Sequence, residues 1–155
     1  HYKSSKKLQC LSSELLLLIN EDTNAYNKII DSIRLPKKTE EQILIRNKEI
    51  YNSTLYAIET PLKVLEVCLE VHKTIFGILK HSNMNCISDI GVANHSILAG
   101  SNSALYNVII NLKDINPNKA KKYKENANYY IKQINNYYLQ INSFVENELG
   151  ISNDK

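Results

Sequence analysis

Four long stretches of this chain bring an apolar residue round every three to four positions, and none alternates apolar with polar over strand length. That period constrains the fold more than any other feature, because such a stripe covers one side of a helix and cannot line one face of a sheet. The first stretch, about 4–33, carries Leu8, Leu11, Leu15, Leu18, Ala25, Ile29 and Ile33 on one stripe. Leu35-Pro36 closes it, since the residue before proline is pushed out of the helical region. The second, 39–79, opens on Thr39 with Gln42 three residues on, a capping box, and runs through Ile58, Leu62, Leu65, Leu69 and Phe76. Pro61 lies inside it, so a kink or break is expected near Thr60. The third covers about 88–113. The fourth opens at Asn116-Pro117, a cap followed by the residue best suited to the first helical position, and stops at Gly150. Its stripe is Tyr123, Ala127, Tyr130, Ile134, Tyr137, Ile141 and Phe144. The expected fold is an all-α bundle of long, partly kinked antiparallel helices. Long apolar faces on the later helices, with Gly100 and Ala104 inviting a close crossing, lead to an expected homodimer.

At 155 residues the chain forms one domain with enough length to bury a core. A net charge of +3 is too weak for a nucleic-acid partner. The longest apolar run, around Leu15, falls far short of the roughly 20 residues a membrane span needs. Cys10, Cys68 and Cys86 share no zinc-type spacing and read as reduced thiols of a cytoplasmic protein. His1, His72, His81 and His95 form no metal motif. A chain opening on His1 without a signal peptide is expected to be a fragment or a processed form.

Polar residues interrupt the stripes at chosen places. Asp22 sits between Leu18 and Ala25, in the apolar seam of the first helix. A carboxylate there is expected to lose water and to be tuned for proton transfer, unless it caps or bridges a neighbouring helix. His72, between Leu69 and Phe76, reads as a satisfied core histidine. Gly100, Ala104, Asn107 and Asn111 share one face of the third helix. Their amides either meet a flat ligand or bond across a tight helix crossing. The stretch 81–93, HSNMNCISDIGVA, crowds amides and small polar groups before that helix. Asn83, Asn85, Ser88 and Asp89 either read a heterocycle edge or form a capped loop with Ser88 as N-cap. Arg34, Lys37, Lys38 and Arg46 bracket the first turn, where they contact an anion or are simply solvated. The lysines at 119, 121, 122 and 124 read as a solvated face.

NEDTNAYNKI at 20–29, LPKKTEEQILIRNKEI at 35–50, TPLKVLE at 60–66, NMNCISDIGVA at 83–93 and YNVIINL at 106–112 closely resemble the cyclodeaminase/cyclohydrolase family of folate enzymes. They follow the family's order and approximate spacing, and the resemblance runs from about Leu8 to Glu148. It implies an all-helical, usually dimeric domain converting 5-formimidoyltetrahydrofolate to 5,10-methenyltetrahydrofolate and ammonia. Some members are methenyltetrahydrofolate cyclohydrolases, and some are fused behind a formimidoyltransferase domain, which makes such a domain a candidate partner. The family's acidic motif falls on Asn20-Glu21-Asp22-Thr23, so Asp22 matches its second aspartate while Asn20 replaces the first. Ser82 and Ser103 stand where glycine is common. The Gly-rich segment that normally precedes the first helix is expected to be lacking.

The implied chemistry requires N10 of the folate to attack the formimidoyl carbon and ammonia to leave. Asp22 serves as the proton shuttle. Asn83, Asn85, Ser88, Asp89, Asn107 and Asn111 orient the pterin and hold the intermediate. Lys37 meets the glutamate end of the folate, polyglutamylated or not. No metal or redox cofactor is required. These roles place the 83–89 loop in one pocket with Asp22, within a subunit or across a dimer interface. Two other readings stand beside cyclodeaminase: the cyclohydrolase of the same family, and a non-catalytic helical oligomerisation module.

Overall fold

The computed structural model describes residues 2–151 and is built from long helices joined by short connections. They are α1 (Tyr2–Arg34), α2 (Glu40–Ile78), α3 (Ile87–Asn111) and α4 (Pro117–Glu148). Single 3₁₀ turns at Leu79–His81, Met84–Cys86 and Leu112–Asp114 carry the later connections. Connections this short force successive helices to run antiparallel. His1, one of the histidines weighed for metal binding, lies outside the described residues.

The expected all-α class holds, and the punctuation residues act largely as read. Thr39 caps α2 by accepting from the Gln42 backbone N–H at 3.3 Å. The Gln42 side chain reaches back as well, but to the Lys38 N–H at 2.9 Å and not to Thr39. Arg46 donates to the Ile33 carbonyl at 3.1 Å, so one of the basic residues of the turn serves to cap α1. Asn116 caps α4 through the Asn118 N–H, with Pro117 in the first turn.

Of the kink or break expected near Thr60, the break is absent: α2 runs as one helix through Pro61, which is buried together with Thr60. Tertiary packing on both sides outweighs the intrinsic cost of proline in a helix. Helix α3 begins at Ile87, with Cys86 at the cap position and no side-chain cap bond, so Ser88 is not the N-cap.

The central element is α2, against which α1, α3 and α4 all pack, while α3 also packs on α4. One core cluster gathers Ile58, Leu65, Leu69, Val108, Ala127 and Ile134; a second joins Leu11, Val67, Ile75, Ile141 and Val145. Gly91 lets α3 approach α4 closely: a Cβ there would stand 3.1 Å from Val145 Cγ1. Gly100, by contrast, faces open space, so it makes no close crossing within the chain. No described helix is long and apolar enough to cross a membrane.

Candidate functional site

Helices α1 and α3 lie on neighbouring flanks of α2, and the space between them is an open groove of about 490 Å³. Its walls are mostly small or apolar, with Leu15, Pro61, Gly100 and Ala104 among them, and Asp22 and Asn107 sit on its edge. A smaller cavity of about 170 Å³ shares Asp22 and Asn107 with the groove and adds Tyr26, Ala57 and Asn111. Asp22 therefore stands where a mostly apolar space meets a smaller one of mixed lining, with Ala25, Ile29 and Ala57 beside the polar groups. The same positions on α3 explain why Gly100 faces emptiness: its missing side chain widens the groove.

The arrangement brings together Asp22, Asn107 and Asn111, from two helices that are far apart in sequence. It does not bury Asp22, which is exposed in the isolated chain. The stripe on α1 is wider than the strip that touches α2; Leu11 and Ala25 are buried, whereas Ile33 at its end is 47% exposed. Asp22 lies at the stripe's edge, facing the groove. The desolvation expected from the stripe is absent, and a carboxylate in this position keeps its water until something covers it.

Asn111 is committed to the protein. Its Nδ2 donates to the Ala57 carbonyl at 3.2 Å and to the Asn107 carbonyl at 3.0 Å. Asn107 is exposed beside Asp22 and its side chain remains available to a ligand.

The 83–89 loop does not join this site within the chain. At 1.5 Å per residue, the stretch of α3 from Ser88 to Asn107 separates them by about 28 Å along the axis. Asn83, Asn85, Ser88 and Asp89 are all exposed at that far end. The Asn83 side chain accepts from the Asn85 N–H at 3.0 Å, closing its own turn. Asp89 occupies the first turn of α3, where the helix dipole favours an anion. Lys37 is exposed in the connection between α1 and α2, outside both cavities.

His72, read as a satisfied core residue, is only half satisfied. It is fully buried, and its Nδ1–H donates to the Cys68 carbonyl at 3.0 Å. Among the described residues, its Nε2 and the Oδ1 of buried Asn94 have no hydrogen-bond partner. Burial pushes the imidazole below its ordinary range, with the Cys68 carbonyl and the Asn94 side chain acting the other way. Burial likewise pushes the Cys68 thiol up. Between α2 and α4, Tyr123 donates to Glu59 at 2.5 Å; burial first, then that carboxylate, pushes the phenol up to about 12.

Other cavities carry less. A space of about 540 Å³ between α1 and α2 is lined by Lys28, Asp31 and Glu49, with the Lys28 ammonium 4.1 Å from the Tyr56 ring centroid. It contains none of the candidate site residues, although Lys28, Leu35 and Glu49 lie in the motif segments. Among the described residues, no group of three His, Cys, Asp or Glu side chains is placed to hold a metal ion.

Residues that sequence reasoning passed over are Ala57 and Tyr26, which complete the small cavity. One signal pointed to Ala57: a proline inside a helix frees the carbonyl four residues before it.

Comparison with known proteins gives a consistent result. The family model described as Formiminotransferase-cyclodeaminase matches residues 2–129. A methenyltetrahydrofolate cyclohydrolase from Methylorubrum extorquens is 34% identical over 110 residues, 71% of this chain and 53% of that protein. The formimidoyltransferase-cyclodeaminase of Rattus norvegicus is 31% identical over 104 residues, 67% of this chain and 19% of that protein. The Gallus gallus protein of the same name is 29% identical over 108 residues, covering 70% of this chain and 20% of its own length. The match thus spans about a fifth of the animal proteins and about half of the bacterial one.

Proposed function

The chain belongs to the formiminotransferase-cyclodeaminase family, and on that premise we propose that it is a one-carbon folate enzyme, a 5-formimidoyltetrahydrofolate cyclodeaminase. The observation that carries this reading is the position of Asp22 at the junction of an apolar groove and a smaller, more polar cavity, with Asn107 on both. A flat pterin suits the groove, whose wall at Gly100 and Ala104 lets a ring approach the helix backbone. The smaller cavity suits what leaves or enters beside the reacting carbon, ammonia in ring closure or water in ring opening. Asp22 between them moves the proton, taking it from N10 as that nitrogen attacks and giving it to the departing amine. The Asn107 amide orients the ring edge or the tetrahedral intermediate.

This role needs Asp22 out of water. A folate seated in the groove, a second copy of the chain laid over it, or both, would supply the cover. The homodimer belongs to the same proposal. Leu16, Leu17 and Ile19 are 63–65% exposed along α1 beside the groove, and such a face in a helical domain fits an apolar subunit interface. Only across such an interface would Asn83, Asn85, Ser88 and Asp89 of one copy reach the cavity of the other. Lys37 stays in the proposal as a contact for the glutamate end of the folate, with a formimidoyltransferase as the candidate partner supplying substrate.

The second reading, a methenyltetrahydrofolate cyclohydrolase, is favoured by the bacterial relative bearing that name. An assay of the purified chain against both 5-formimidoyl- and 5,10-methenyltetrahydrofolate separates the two. Ammonia release with appearance of the methenyl product supports the first, and loss of the methenyl substrate without ammonia supports the second. Neither activity, in a folded dimer, would leave the chain as a helical oligomerisation module.

A further inference from the structure

The amide of Asn111 differs from its neighbours in having nothing left to donate. Both partners of its Nδ2, the carbonyls of Ala57 and Asn107, can only accept. They therefore fix which end of the amide carries nitrogen, and they use both of its N–H groups. The Ala57 carbonyl is the acceptor that the backbone N–H of residue 61 satisfies in an ordinary helix, and Pro61 has no such group. Ala57 and Pro61 are buried, and a carbonyl left unpaired in that setting is costly.

We propose that Asn111 is a positioning residue and not a ligand for substrate: its side chain replaces the N–H missing at Pro61. By doing so it ties α3 to α2 at the level of Asp22. It also holds the turn of α3 that carries Asn107, so that Asn107 and Asp22 border the same two cavities. An uncapped Ala57 carbonyl beside the small cavity would offer a competing acceptor for the proton donors that Asp22 has to serve. The catalytic part of this inference rests on the folate reading above; the link between the two helices does not.

A double-mutant cycle on the full chain tests it, with urea unfolding and steady-state kinetics on the folate substrate as readouts. Asn111→Ala should raise the unfolding equilibrium constant about tenfold, the scale of leaving a buried acceptor unpaired. In a Pro61→Ala background, where residue 61 regains its N–H, the same substitution should cost no more than about twofold, since the acceptor now keeps a partner. In the native background it should lower kcat roughly ten- to a hundredfold, with KM nearly unchanged, as expected of a geometric fault beside the reacting groups. Equal costs in both backgrounds would overturn the replacement of the missing N–H. A raised KM with kcat intact would make Asn111 a substrate ligand and overturn the positioning role. Should Asn111→Ala fail to fold alone, the Pro61→Ala pair is expected to fold, and its failure also counts against the proposal. A wild-type chain without folate turnover would remove the catalytic role together with the functional reading, while the unfolding cycle would still decide the link.

Discussion

His72 and Asn94 meet at the junction of α2, α3 and α4, each with a buried polar atom that has no hydrogen-bond partner among the described residues. The Asn94 amide donates to the Tyr138 carbonyl at 3.1 Å, which turns its oxygen toward the remainder of the core. With Nδ1–H given to the Cys68 carbonyl, a neutral His72 has only a lone pair at Nε2. A proton at Nε2 would supply the missing donor for an oxygen acceptor, but it would place a charge in the buried core, and burial is the larger effect.

The folded protein therefore binds that proton less readily than the unfolded chain, whose histidine titrates near 6.5. Below that pH the unfolded state takes up a proton first, so stability is full above pH 6.5 and declines as pH falls toward the depressed folded value. Glu70, held below its ordinary 4.5 by Lys73 and Lys7, acts only at lower pH. Urea midpoints measured between those two values should fall with acidification. A His72→Gln variant, unable to gain the charge, should lose that dependence; an unchanged slope would assign it elsewhere.

Asp22→Asn should lower turnover by about a hundredfold or more, the scale of losing general acid–base catalysis. Folate affinity should change far less, because the groove wall is untouched. Since Asp22 is exposed, the variant should also fold normally. Near wild-type turnover in this variant would take Asp22 out of the mechanism.

Gly91→Ala should destabilise the bundle by about 1–2 kcal/mol, the usual cost of a methyl forced into a packed contact. The new Cβ meets Val145 Cγ1 at 3.1 Å, and α4 or the Val145 rotamer must yield. Gly100→Ala, into open space on a helix, should be neutral or stabilising, while narrowing the groove for substrate. Thermal melts of the two variants, run side by side, check the contrast.

Sedimentation at micromolar concentration should show a dimer, and replacing Leu16 and Leu17 with charged residues should give a monomer. A native monomer would return the exposed face of α1 to solvent and leave the folate as the sole cover for Asp22.

Helix spans, the caps at Thr39 and Asn116 and most of the core stripes were legible because a 3.6-residue period and the local chemistry of Thr39, Asn116 and Pro117 act within a few residues; Ser88 as a cap and Ile33 and Phe76 as core residues were not borne out. Burial of Asp22 was not. Periodicity gives the angle of a side chain about its helix, and says nothing of whether a neighbour occupies that angle; on α1 only α2 does so substantially. Continuity through Pro61 was equally hidden, since the donor to Ala57 comes from Asn111 on another helix. The separation of Asn83 and Asn85 from Asp22 was legible in principle. The length of α3 already sets Ser88 and Asn107 at opposite ends, and antiparallel packing puts Asp22 beside the latter.

Helix α1 fully buries only Leu11, Ala25 and Ser32 along its whole length; Leu8, Leu15 and Leu18 pack half-buried on the core, and the exposed Lys7–Glu70 ion pair at one end and the Ser32–Ser53 hydrogen bond near the other add ties to α2. It is thus the natural first segment to detach in native-state fluctuations, with its amides exchanging ahead of those in α2. Because α1 carries Asp22, the acid proposed for the site belongs to a helix with far fewer fully buried residues than α2. Whatever settles into the groove, substrate or second subunit, would slow that exchange and assemble the site in the same step.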